Sequence, residues 1–323
     1  MASLGDWKIP STVQPRPGAY AYDLDRALTS VVSLSARVPE SAFTAETLGL
    51  ERAGNGVTIG SDGLVLTIGY LITEAESVWL TAHDGRTVPG HVVGFDAATG
   101  FGLVQALGRL DLPALALGDS AALRVGDAVV VAGAGGRHRS IAAEVVARQE
   151  FAGYWEYVLD DALFTAPSHP HWGGTALIGP AGDLLGIGSL QLQQSGRDNK
   201  TINMVVPIDL LKPILPDLTT LGRADRPPRP WLGLYATEMD DQVVVMGLAS
   251  RGPAEAADLR AGDIVMAVGR TEVSDLGSFF RAVWALGPAG VSVPLTIHRD
   301  GRTLSVAVAS ADRARFLVAP RLH

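Results

Sequence analysis

Chemistry-bearing side chains crowd into one short stretch, SHPHWGGTAL at residues 168–177. Ser168 brings a hydroxyl, His169 and His171 bring imidazoles two residues apart, and Thr175 follows a pair of glycines. In a strand, alternate residues share a face, so His169 and His171 would present two imidazoles to one metal ion. A structural or catalytic zinc needs three or four ligands, however, and no carboxylate stands near the pair. They read as ordinary loop histidines, and no metal or other cofactor is expected. The second chemistry is nucleophilic. Ser168 or Thr175 would need an imidazole to take its proton and a carboxylate to orient that imidazole, and the sequence places no such carboxylate. The glycine-rich stretch VAGAGGRH at 131–138 lacks the Lys-Ser/Thr ending and the following helix of a phosphate loop, and reads as a tight turn.

The elements that must hold these residues are mostly strands. Short apolar, β-branched runs recur through residues 28–206, among them SVVSLSA, LVLTIGYLI, SVWLTA, AVVVAG, IAAEVVA, WEYVLD, LLGIGSLQL and INMVVP. Turn signals such as SDG, HDG and PAGD separate them, which predicts an antiparallel all-β barrel or sandwich arrangement. IDLLKPILPDLTTLGR then predicts a helix after Pro207, interrupted at Pro213 and Pro216. The Pro-rich stretch RADRPPRP follows, and 223–230 is the expected linker. Beyond it the pattern becomes α+β. WLGLYA, VVVMGLA and DIVMAVG read as strands, AEAADL and LGSFFRAVWAL as helices, and VSVPLTIHRDGRTLSVAV as a hairpin turning at Asp300 and Gly301.

With 323 residues, 47% of them hydrophobic and 19% charged, the chain can bury more than one core. A net charge of −8 disfavours nucleic acid, whose phosphates demand clustered Lys and Arg. The absence of cysteine excludes disulfides and thiolate chemistry without fixing a compartment. No apolar run approaches the length of a membrane span, and the polar start MASLGDWKIPS lacks the apolar core of a secretory signal. As written the chain is expected to be cytoplasmic, or periplasmic if a signal or anchor has been removed.

Several stretches in order carry a family resemblance: NGVTIGSDGLVLT, DGRTVPGHVVGFDAATGFGLV, LALGDSAALRVGDAVVVAG, INMVVPIDLLKPIL, and RPWLGL with GPAEAADLRAGDIVMAVGRTEV. Together they resemble the HtrA (Deg) family of trypsin-like serine proteases with one PDZ domain, from about Val31 to about Ala311. The resemblance implies a mainly β chain. Its expected parts are an N-terminal segment at 1–25, a trypsin-like double six-stranded β-barrel at 26–222, the linker at 223–230, an α+β PDZ domain at 231–314 and a tail at 315–323. It places Tyr70 at the family's histidine, Gly100 at its aspartate, Trp172 at its serine, and Pro170 at an oxyanion-hole position whose backbone N–H proline lacks. Tyrosine, glycine and tryptophan supply neither nucleophile, base nor orienting carboxylate. The expectation is therefore a chain that is not an enzyme, with the Trp172 indole packed on Tyr70 and filling the cleft.

For the PDZ part, the resemblance implies that a peptide C-terminus is held by backbone N–H groups of Trp231, Leu232, Gly233 and Leu234, with Phe280 and Val283 walling an apolar groove. The expected function is a non-catalytic scaffold or regulatory subunit with a protein or peptide partner, as a homotrimer held through Tyr20 and Tyr22 or as a heteromeric subunit. The alternatives are a metal-binding or chaperone-like role using His169 and His171, or a hydrolase with a rebuilt site at Ser168.

Overall fold

A computed structural model describes residues 7–193 and 200–318; the first six residues and the last five of the expected tail lie outside the described residues. Within them the chain forms two compact units. The first takes in residues 7–149, 161–225 and 318, the second residues 150–160 and 226–317.

Two closed six-stranded barrels make up most of the first unit, with residues 150–160 of the second barrel's strands grouped in the second unit. β1 (Val31–Arg37), β2 (Glu51–Thr58), β3 (Leu64–Ile68), β4 (Ser77–Thr81), β5 (Thr87–Phe95) and β6 (Phe101–Ala106) close in the order β1-β2-β3-β6-β5-β4. β7 (Ala128–Ala132), β8 (Ser140–Gly153), β9 (Tyr157–Ala166), β10 (Ala176–Ile178), β11 (Leu184–Gln193) and β12 (Thr201–Pro207) close in the order β10-β11-β12-β9-β8-β7. Period-two alternation explains why these runs fold this way. Val32, Leu34, Val65, Val78, Leu80 and Val104 share one face of the first barrel's strands, and Val129, Val131, Ile141, Val145, Leu163, Leu177 and Val205 share one face of the second's, all buried. Closure also pairs every strand edge, so neither barrel leaves a bare row of backbone donors. The helix expected after Pro207 is cut down to a turn at Ile208–Leu210 and a helix at Leu215–Leu221, with Pro216 in its first turn where a missing N–H costs nothing.

One expected strand differs. WEYVLD is not a strand throughout: Trp155 and Glu156 lie in the turn between β8 and β9, and the strand starts at Tyr157. Glu156 takes φ 62°, the left-handed geometry that tightens the turn.

The second unit is a sheet of β13 (Leu234–Met239), β14 (Gln242–Leu248), β15 (Ile264–Val268), β17 (Ser292–Arg299) and β18 (Arg302–Ala309) in that order, with the short β16 (Thr271–Glu272) paired to β15. Helix Leu276–Trp284 starts at a capping box of Asp275 and Ser278 and buries Phe279, Phe280 and Val283 against the sheet. β17 and β18 meet as expected, with Arg299 opposite Arg302 and the loop residues Asp300 and Gly301 at φ 51° and 75°, the signs a two-residue type I′ turn needs. Asp263 at the start of β15 is buried. Its carboxylate accepts from Arg299 Nε at 2.5 Å and Nη2 at 2.6 Å, and from the Arg260 backbone N–H at 2.8 Å. Replacing Arg299 by leucine strands that charge, so Arg299→Leu should destabilise the second unit by about 3–5 kcal/mol in urea unfolding, whereas the exposed Arg302→Leu should change it little.

Candidate functional site

Tyr70 stands in the turn Gly69–Leu71 that follows β3. Its hydroxyl donates to the Ser189 carbonyl on β11 at 2.8 Å and is hydrogen-bonded by the Trp172 side chain. Burial pushes the phenol well above its ordinary pKa, with the bond from Trp172 opposing. Gly100, at φ 86°, accepts from the Gly69 N–H at 2.6 Å through its carbonyl, which places it behind Tyr70. The structure thus brings positions 70, 100 and 172 together. Trp172 is half-buried rather than core, and Pro170 is exposed.

What pins this loop is Asn55 on β2, a residue that no motif singles out. Its Nδ2 donates to the carbonyls of His171 at 3.1 Å and Gly173 at 3.0 Å, its Oδ1 accepts from the Ala134 N–H at 2.9 Å, and its own N–H donates to Gly173 at 2.8 Å. One side chain therefore ties together both barrels and the Gly-Gly turn. Gly174 must be glycine here, since at φ 76° a Cβ would come 1.9 Å from the Asn55 carbonyl oxygen.

His169 is fully buried and fully used. Its Nε2 donates to the Arg139 carbonyl at 2.9 Å, which leaves Nδ1 to accept from the His171 N–H at 3.1 Å. Burial drives its pKa down to about 4. His171 is exposed, with its ring 4.3 Å from that of Trp7, so the two imidazoles do not converge on a common ion. Among the described residues no group of three or more His, Asp or Glu side chains could hold a metal. Ser168 bonds to Thr201 Oγ1 at 2.6 Å and accepts from Gln191 at 3.1 Å, with no imidazole among these partners. Tyr20 and Tyr22 sit ring to ring at 5.4 Å, both half-buried, and Tyr22 packs so closely on Gly182 that a Cβ there would lie 2.6 Å from its ring.

In the second unit the loop Trp231–Leu234 turns its backbone donors inward. Gly233 takes φ 73°, and the N–H groups of Leu232, Gly233 and Leu234 all donate to one carboxylate, that of Glu156, at 2.8–3.3 Å. The Trp231 N–H goes instead to the Ala311 carbonyl at 3.0 Å, and its ring lies 4.8 Å from Phe316. Phe280 and Val283 are buried in one apolar cluster with Leu232, Leu234 and Val158. Burial pushes the Glu156 carboxyl up to about 7, against the three N–H bonds and Arg313, which favour its ionised form.

Two family models match the chain: a trypsin-like peptidase domain over residues 54–187 and a PDZ domain over 230–309. A probable periplasmic serine endoprotease DegP-like of Chlamydia trachomatis is 24% identical over 79% of this chain and 53% of its own length. The periplasmic serine endoprotease DegP of Escherichia coli K12 is 26% identical over 78% and 56%. The putative serine protease HhoA of Synechocystis is 27% identical over 80% and 70%. The chain spans about half the length of the DegP-type relatives. Among solved structures, the HtrA-type protease AlgW with a decapeptide aligns over 92% of this chain and 98% of its own, at 21% identity and a TM-score of 0.53. The serine endoprotease of Yersinia pestis aligns over 89% and 95%, at 21% identity and 0.52.

Two expectations are corrected by this kinship. The reading that the chain is not an enzyme is overturned by relatives named serine endoproteases, which point to a protease. At about a quarter identity, carrying three residues across position by position does not show that a catalytic site is lost. Tyr70, Gly100 and Trp172 are themselves committed to the contacts above. The cytoplasmic expectation also finds no support, because relatives are named periplasmic; no helix among the described residues is long and apolar enough to cross a membrane.

Asn55→Ala removes three side-chain bonds from a buried junction and should lower the stability of the first unit by about 2–3 kcal/mol, read from urea unfolding. His169 supplies a pH signature. The unfolded imidazole binds a proton near its ordinary pKa, about 6.5, and the folded one only near 4, so stability is full above the first value and lost as pH falls toward the second. The protection of amides in β7–β12, taken relative to the unstructured exchange rate at each pH, should fall as pH drops across that window, and His169→Asn should flatten the dependence.

Proposed function

A trypsin-like peptidase domain followed by a PDZ domain makes this chain a homologue of the DegP/HtrA family, and we propose that it recognises protein or peptide segments through the PDZ loop Trp231–Leu234. One observation carries the reading: three successive backbone N–H groups at Leu232, Gly233 and Leu234 converge on a single carboxylate. A peptide C-terminus offers the same two-oxygen anion, and the edge of β13 next to the loop would extend the contact by strand addition. Phe280 and Val283 lie in the apolar cluster that would take the last side chain. On this reading the recognition segment spans 231–314 after a linker at 223–230, and the chain works in the periplasm, a compartment favoured by the names of its relatives.

The test is fluorescence polarisation of labelled hexapeptides ending in Val, Leu or Phe against the full chain. Free-carboxylate peptides should bind at least about tenfold more tightly than their C-terminal amides, the cost of losing charge-assisted bonds to the loop. Gly233→Val should abolish the difference, because a side chain at φ 73° is strained and its Cβ would come 3.0 Å from the Trp231 ring. Equal binding of acid and amide would sink the reading.

A further inference from the structure

The carboxylate that fills the Leu232–Leu234 loop belongs to the chain itself, and the contact has the form of a bound ligand rather than of a stray acidic side chain. We propose that the tip of the β8–β9 hairpin, residues 154–158, is an internal ligand of the loop, with Glu156 standing where the carboxylate of a peptide terminus would stand. The inference rests on the peptide-recognition reading above and names what that site holds.

Four independent features of the second unit support it. Both carboxylate oxygens are engaged: Leu232 N–H reaches Oε2 at 3.0 Å and Oε1 at 3.2 Å, Gly233 N–H reaches Oε1 at 2.8 Å, and Leu234 N–H reaches it at 3.3 Å. Two residues before the carboxylate, the Tyr154 carbonyl accepts from the Ala236 N–H of β13 at 3.0 Å, the main-chain bond of an added strand. Two residues after it, Val158 is buried in the cluster of Leu232, Leu234, Phe280 and Val283, so an apolar side chain sits where a terminal residue would insert. The flanks of the tip are tied to helix Leu276–Trp284, where Arg281 Nη2 bonds Glu150 at 2.7 Å and also pairs with Asp160. A Cβ at Gly277 on that helix would lie 2.1 Å from the Glu150 carboxylate, which would have to swing away from Arg281.

Glu156 adopts φ 62°, a conformation that strains a side-chain-bearing residue and that glycine adopts freely. The bonds to the loop offset that strain. Any external chain end must displace this contact. If the tip fills the loop nine-tenths of the time, the affinity seen by an external peptide falls by about tenfold.

Two variants of the full chain test this. Glu156→Gly removes the carboxylate while keeping the turn unstrained, and Glu156→Gln keeps the size and loses the charge. Without peptide, hydrogen exchange at the amides of Leu232, Gly233 and Leu234 should accelerate at least about tenfold in Glu156→Gly and less in Glu156→Gln, while amides of β7–β12 stay protected. The free-carboxylate hexapeptides should then bind Glu156→Gly at least tenfold more tightly than the unaltered chain. If the three amides exchange equally fast in the unaltered chain and both variants, or if peptides bind all three equally well, the internal ligand is refuted while peptide recognition stands or falls by its acid-versus-amide comparison. If exchange accelerates and no peptide binds any form, the internal contact is upheld and the peptide-recognition reading fails. Should Glu156→Gly lose protection in β7–β12, Glu156→Gln carries the same comparison.

Discussion

A backbone N–H turned away from water has to find an acceptor, and much of this structure is an answer to that demand. The barrels meet it by closing every strand edge. Helix Leu276–Trp284 meets it with the Asp275 side chain. The loop Leu232–Leu234 cannot meet it with a ladder, since its donors point to one place, and it does so with a carboxylate. Asn55 answers the same demand between the barrels, supplying a donor and an acceptor to strands and turns that have no ladder partner there.

That demand also separates what the sequence shows from what it hides. Strands and hairpins follow from period-two alternation and turn chemistry, both local: Asp300-Gly301 reads as a tight turn and forms one. The interruption of the helix after Pro207 is equally local, because proline acts on its own turn. Tyr70 and Trp172 meet through a side-chain hydrogen bond, and it is the resemblance, not the spacing of those residues, that pairs them.

Asn55 and Glu156 were not legible. Each is a lone polar residue in a stretch without a motif, and each acts on groups 76 to 118 residues away along the chain. Two imidazoles spaced by one residue suggest a chelate, yet the buried His169 spends both ring nitrogens on backbone groups while the exposed His171 leans on Trp7, in a segment that is a turn and not a strand.

The β8–β9 hairpin gives the loop a further property, that of a threshold. A ligand tethered by the same chain is present at an effective concentration set by geometry, on the order of millimolar for short flexible tethers and higher for a rigid one. Abundant chain ends that bind weakly would be filtered out by competition alone, with no discriminating contact in the groove. The length and stiffness of a β-hairpin, elements far from any reacting group, thus become determinants of which proteins the molecule notices.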